Sequence, residues 1–312
     1  MHKNPKNLFA IRTISKYLSL VKFSHTIFAM PFAMIGFALA VLNKWQIDIS
    51  NESPAIKYNF DNSYTFKLLI LVILCMVFAR NSAMAFNRYI DEKFDKLNPR
   101  TAIREIPSGV IPKQHALIFV IINSILFITT TFFINNLCFY LSPIALFVIL
   151  FYSYTKRFTP LCHIVLGIGL SLAPIGAYIA VTNQFHILPI LFSFIVLTWV
   201  SGFDILYSLQ DEDFDREHQL NSIPVLIGRK NALIMSRLLH SITAILVLLI
   251  AIIYLPFLLY YIASAIFVFL LSYQHSLVKV NDISKVNLAF ATTNGIASVV
   301  YSIFVILSLF FI

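Results

Sequence analysis

The stretch Asn87-Arg-Tyr-Ile-Asp91-Glu-Lys-Phe-Asp95-Lys-Leu-Asn-Pro-Arg100-Thr-Ala-Ile-Arg104-Glu-Ile-Pro-Ser-Gly109 interrupts a chain built mostly of Leu, Ile, Val, Phe and Ala. It follows directly on an apolar run, so acids, bases and amides crowd together where a helix leaves a hydrophobic environment. Asn87, Asp91 and Asp95 recur every four residues, a spacing that drifts by only ~40° per step on a helix and keeps all three on one face. Two carboxylates and an amide so placed offer hard oxygen ligands to a divalent cation. The bases that follow, Arg100 and Arg104, suit an anion beside it. The stretch reads as a Mg²⁺-diphosphate site at a membrane surface.

Composition agrees with that setting. Hydrophobic residues make up 59% of the 312 and charged residues 12%, about half the charge of a typical soluble domain at ~25%. Nine candidate spans emerge, at Leu18–Leu42, Phe66–Phe86, Ala116–Ile134, Leu137–Phe151, Cys162–Thr182, His186–Leu206, Ala232–Tyr254, Pro256–Tyr273 and Leu288–Phe311. Most approach the ~20 residues a helix needs to cross hydrocarbon, the fourth and eighth being the shortest. The runs are apolar on all faces, which argues against a β-barrel. The basic N-terminus precedes an apolar run too long for a signal-peptide core, so it reads as a retained first span. With no linker or low-complexity tract, residues 1–312 read as a single membrane domain.

The net charge of +9 is explained by its distribution and needs no nucleic-acid partner. Of 23 Lys and Arg, only Lys44, Lys57 and Lys67 fall in loops on one side, and Arg80 lies within the second span. The remainder gather in the N-terminal tail and around the even-numbered loops. The positive-inside rule therefore places the N-terminus and the loops after spans two, four, six and eight in the cytoplasm, and the C-terminus outside. Cys75, Cys138 and Cys162 lack metal-ligand spacing and read as small core residues.

A second acidic group, Asp204-Ile-Leu-Tyr207-Ser-Leu-Gln-Asp211-Glu-Asp-Phe-Asp215, closes the sixth span. On one continuous helix Asp204, Tyr207, Asp211 and Asp215 occupy a ~80° arc, whereas Glu212 and Asp213 point elsewhere, toward solvent. Asp211 follows Asp91 by 120 residues, a weak parallel internal repeat. Acids at helix ends are ordinarily polar loop residues. Two matched clusters in helical register, each continuous with a span, instead suggest ligands facing one another across a cavity. Tyr152 and Lys156 share a face at the end of the fourth span, where Lys156 and Arg157 serve equally well as positive-inside anchors. Arg80, buried in a span about two turns before Asn87, should face a cavity or a partner. Lys22, His25 and Thr26 are similar candidates, and Trp199 and His240 read as packing or lipid-facing.

The elements Asn87-xxx-Asp91-xxx-Asp95, Arg100-Thr-xx-Arg104-xx-Pro-Ser-Gly109, Tyr152-xxx-Lys156 and Asp211-xxx-Asp215 resemble the UbiA superfamily of intramembrane prenyltransferases, in order along the whole chain. The resemblance implies an all-α membrane fold of nine transmembrane helices around a central cavity that opens laterally to lipid. It implies that Asn87, Asp91, Asp95, Asp211 and Asp215 bind Mg²⁺-diphosphate with Tyr152 and Lys156 nearby. Many members carry Asp after the first Asn, where this chain has Arg88. The segments around Asn87 and Asp204 look most like the 4-hydroxybenzoate polyprenyltransferase-like branch, which includes enzymes thought to prenylate a naphthoate.

The expected reaction is Mg²⁺-dependent transfer of a polyprenyl group from its diphosphate to a ring carbon of a hydroxybenzoate or naphthoate acid, as in ubiquinone or menaquinone synthesis. Arg80 is a candidate partner for the acceptor's carboxylate, and the bacterial inner membrane is the expected location. A secondary transporter is the rival from another class, but the acids cluster at one face and not at the midplane. A CDP-alcohol phosphotransferase is disfavoured because its Asp-Gly and Ala-Arg elements are missing. A UbiA-type enzyme with another acceptor remains an alternative, and chain length and oligomeric state are left open.

Overall fold

The computed structural model describes residues 15–21, 28–50 and 62–310, with backbone alone for 43–50. Ten α-helices follow a short helical segment at 15–20: α1 (Met30–Ser50), α2 (Asn62–Leu97), α3 (Lys113–Phe132), α4 (Asn136–Thr155), α5 (Cys162–Thr182), α6 (Ile187–Ser208), α7 (Glu212–Glu217), α8 (Ile223–Ile253), α9 (Leu258–Leu277) and α10 (Asn294–Leu309). A π-helical turn, Leu288–Thr293, leads into α10. Among the described residues eight helical segments are long and apolar enough to cross a membrane, and α1 adds a shorter apolar stretch, Met30–Leu42. The expected first span runs through residues 22–27, which lie outside the described residues. The fourth and eighth spans are fuller than the sequence suggested, with 20 residues in each helix.

Side chains such as Ile125, Phe147, Ile252 and Phe269 are more than half exposed. Apolar groups turned outward on helices of this length belong in hydrocarbon, and the chain is an integral membrane protein. Helices α1, α6, α8, α9 and α10 pack around an aromatic core in which Phe32, Trp199, Phe203, Phe267 and Tyr301 are buried. Helix α5 packs between α1, α4 and α6, and α2, α3 and α4 pack against one another.

Helices in a bilayer gain little from hydrophobicity and associate through close packing and polar contacts. Glycines supply the first. A Cβ at Gly36 would collide with the backbone of Pro174, and one at Gly202 would collide with the His240 ring. Buried polar pairs supply the second: Trp199 Nε1 donates to Asn294 Oδ1 at 3.0 Å, and the Tyr260 and Tyr301 hydroxyls meet at 2.7 Å. His240 bridges Trp199 O at 3.1 Å and His275 Nε2 at 2.9 Å. Trp199 and His240 are therefore interior packing residues and face no lipid.

Helix ends position the site. Helix α2 continues 11 residues past the expected end of the second span, to Leu97, so Asn87, Asp91 and Asp95 ride on one unbroken rod. It stops at Asn98, whose conformation Pro99 pushes away from helix. Asn98 Oδ1 then accepts the Arg100 backbone N–H at 3.0 Å, and the Thr101 hydroxyl donates to Asp95 O at 3.1 Å. The chain turns at Gly109 with φ 77° and re-enters at α3. Helix α6, by contrast, tightens into a 3₁₀ turn at Leu209–Asp211 before α7. The continuous helix expected from Asp204 to Asp215 is interrupted there.

Candidate active site

The C-terminal ends of α2, α4 and α6 and the N-terminal ends of α5 and α8 meet at one end of the bundle. Below them lies a cavity of about 850 Å³, walled by α2, α3, α4, α5 and the last turns of α6. Its deep wall is apolar, with residues such as Val72, Phe127, Leu141 and Ala173. Its mouth is polar: Asn87, Arg88, Tyr152, Asp204 and Tyr207 line it, together with Arg100, Arg104 and Glu105. Arg80 lines the same cavity about two helical turns deeper. Cys75 and Cys138 also stand in its wall, while Cys162 is buried. Lys22, His25 and Thr26 lie outside the described residues.

Asp91, Asp95, Asp211 and Asp215 stand just beyond the cavity lining, and each meets a base. Arg100 Nη2 contacts Asp211 at 2.6 Å, and its Nη1 donates to the Tyr207 hydroxyl at 3.1 Å. Arg104 pairs with Asp95 at 2.7 Å, Lys156 with Asp215 at 2.7 Å and Arg157 with Asp91 at 3.3 Å. Asn98 Nδ2 donates to Asp211 Oδ1 at 3.2 Å, and Asn87 Nδ2 to Asp91 at 3.1 Å. Three of these pairs link elements across the bundle: Arg100 and Asp211 stitch the α2–α3 loop to the 3₁₀ turn, Lys156 joins the end of α4 to α7 through Asp215, and Arg157 ties the end of α4 to α2. Burial opposes the positive charge on Lys156. Asp215, with Asp211 behind it, more than offsets that and holds the ammonium above the ordinary lysine range.

Several contacts had no clear sign in the sequence. His163 Nδ1 lies 2.7 Å from Asp204, and its Nε2 lies 3.4 Å from the Ile223 N–H. Arg157, read as an anchor, also donates to Ile90 O at 2.8 Å. Glu212, expected in solvent, is buried between Arg229 at 3.0 Å and Arg216 at 3.2 Å, because the 3₁₀ turn rotates it inward. Asp213 is exposed, as its position suggested.

The donor chemistry suits a hard divalent cation, since Asn87 and the four aspartates offer only oxygen. Among the described residues no three acids, histidines or cysteines are gathered closely enough to form a metal cluster. Mg²⁺ commonly takes one or two carboxylates and completes its shell with substrate phosphate and water, so a preassembled cluster is not required. The arrangement is a ring of exchangeable ion pairs around a cavity mouth. A bound cation would compete for the acids and a bound oxyanion for the bases.

The model of the UbiA prenyltransferase family matches residues 29–296. A 4-hydroxybenzoate octaprenyltransferase of Aliivibrio fischeri (strain MJ11) is 34% identical over 185 residues, covering 58% of this chain and 63% of that protein. Another, from Tolumonas auensis, is 30% identical over 54% of this chain and 59% of its own length. The chain thus spans just under two thirds of the length of the curated relatives it matches. The apo structure of a UbiA homolog from Aeropyrum pernix K1 superimposes with a TM-score of 0.76 and 28% identity, covering 91% of this chain and 97% of that one. A UbiA homolog from Archaeoglobus fulgidus, bound to DMAPP and Mg²⁺, gives a TM-score of 0.71 at 18% identity, covering 95% and 100%. At that identity the second likeness concerns the fold alone.

Proposed function

The chain belongs to the UbiA prenyltransferase family, and from that premise we propose that it transfers a polyprenyl group from a polyprenyl diphosphate to a ring carbon of an aromatic acid. A hydroxybenzoate or a related naphthoate is the acceptor class. The relatives named 4-hydroxybenzoate octaprenyltransferase support the acceptor and the polyprenyl donor, and the all-oxygen donor set of Asn87 and the aspartates supports a hard divalent ion. The observation that carries the reading is the paired ring of acids and bases at the mouth of an otherwise apolar cavity.

In this reading Asn87, Asp91, Asp95, Asp211 and Asp215 hold Mg²⁺, which when bound supplies Lewis-acid stabilisation of the diphosphate. Arg100, Arg104, Lys156 and Arg157 leave their aspartates for phosphate oxygens and stabilise the charge that grows as the allylic C–O bond breaks. Tyr152 and Tyr207 border that end of the cavity, and Asp204 faces the acceptor, fixed by His163. The ring carbon ortho to a phenol attacks the allylic carbon, and the ring then loses a proton to a base or to the departing diphosphate. The apolar wall keeps water from the allylic cation left by C–O cleavage, which would otherwise be quenched as free prenol. Arg80, deeper in the same wall, remains the candidate from the sequence for the acceptor's carboxylate. The site faces the cytoplasm in a bacterial inner membrane, in keeping with the loop charges.

A panel of hydroxybenzoates and naphthoates, incubated with one labelled polyprenyl diphosphate and membranes containing the protein, tests this by mass spectrometry. A ring-alkylated product with one acceptor class supports the proposal. Uptake of substrate into vesicles without any covalent product would favour a transporter instead.

A further inference from the structure

Arg88 occupies a position that none of the ion pairs explains. It is 4% exposed and lines the cavity mouth, yet its Nε and Nη1 have no hydrogen-bond partner among the described residues. Arg100, Arg104, Lys156 and Arg157 each have a carboxylate at 3.3 Å or less. Glu105 shares the cavity wall with Arg88. One Glu105 oxygen accepts from the Ser19 hydroxyl and the other has no partner, and no Arg88–Glu105 ion pair forms among the described residues. A guanidinium cannot shed its proton to escape burial. Two buried donors without acceptors in a cavity wall therefore mark a place where a ligand supplies the acceptors.

We propose that Arg88 anchors an oxyanion subsite at the cavity mouth, where its unpartnered Nε–H and Nη1–H donate to the oxygens of a bound anionic group. A guanidinium donates charge-assisted hydrogen bonds to carboxylate and phosphate oxygens alike. The occupant is thus either the carboxylate of an aromatic acid or an oxygen pair of a diphosphate. Only this choice of occupants rests on the proposed function; the subsite itself rests on the orphaned donors.

Calorimetric titration of detergent-purified protein, read without turnover, separates the sources. One arm titrates 4-hydroxybenzoate, the other inorganic pyrophosphate with Mg²⁺, each against wild type, Arg88→Gln, Arg88→Lys and, as a charge-matched control, Lys285→Gln on an exposed loop. Arg88→Gln should weaken one of the two ligands by at least about tenfold, as expected for loss of a buried charge-assisted pair. Arg88→Lys should recover part of that loss, and Lys285→Gln should recover wild-type binding. Loss in the first arm identifies a carboxylate, and loss in the second a diphosphate. Thermal unfolding of ligand-free Arg88→Met supplies an independent reading. Because no internal bond is lost, this variant should unfold at or above the wild-type temperature and gain less from the ligand that Arg88 holds. Unchanged affinity for both ligands in Arg88→Gln, or ligand-free Arg88→Met that is less stable yet binds both normally, would overturn the proposal and make Arg88 a structural residue.

Discussion

Removing the partner of a fully buried carboxylate is the sharpest test of the ion-pair ring. Asp215 is 0% exposed and meets Lys156 Nζ at 2.7 Å. Lys156→Met would leave the Asp215 carboxyl buried and unpaired, and breaking a buried pair in this way typically destabilises by about 3–5 kcal/mol. One third of the Lys156 side chain is exposed, so water can partly replace it and the low end, about 3 kcal/mol, is the better figure. At roughly 2–4 °C per kcal/mol for larger domains, the apparent Tm should fall by about 6–12 °C. The double variant Lys156→Met/Asp215→Asn removes the orphaned carboxyl and should recover at least half of that loss. Thermal unfolding of purified protein in detergent, followed by tryptophan fluorescence, reads both. A single variant as stable as wild type, or a double variant no better than the single, would refute the reasoning.

Further expectations concern pH, the cross-bundle tie and helix packing. Because the Lys156 pKa is raised in the folded state, its contribution to stability is complete below the unfolded value of about 10.4 and is lost only as pH rises through the higher folded value. Comparing wild type with Lys156→Met/Asp215→Asn, which leaves no orphaned carboxyl to titrate, the stability difference should therefore be flat from about pH 7 to 9; a decline within that window would contradict the assignment. Arg100→Met removes the contacts to both Asp211 oxygens and to Tyr207, and should raise the KM for polyprenyl diphosphate by about tenfold or more while changing the acceptor KM little. Gly202→Ala drives a methyl into the His240 ring and should cost about 1–3 kcal/mol by overpacking, seen as a lower Tm without a change in substrate KM.

The sequence made some features legible and hid others for identifiable reasons. Helical spans and the Asn87-Asp91-Asp95 face follow from local periodicity, and α2 displays both. The continuous helix expected from Asp204 to Asp215 is interrupted by a 3₁₀ turn over three residues, although Arg100 still meets both Tyr207 and Asp211. The same turn explains why Glu212 is buried and ion-paired. Pairings across the bundle, such as His163 with Asp204 at a separation of 41 residues or Arg100 with Asp211 at 111, depend on which helices become neighbours, which no local pattern encodes. Arg157 illustrates the ambiguity: a basic helix end serves topology and ion pairing alike. Arg88 was visible only as an odd base among acids, and its orphaned donors became apparent when the cavity wall was placed around it.

The central claim is that the two aspartate clusters act together on one diphosphate. The direct test is Mg²⁺-dependent prenyl transfer in membranes carrying Asp91→Ala or Asp211→Ala, measured as labelled ring-alkylated product at matched protein levels. Each variant alone should abolish transfer while leaving expression intact, since each cluster supplies ligands the other cannot replace. Near wild-type turnover in either variant would contradict the shared clamp.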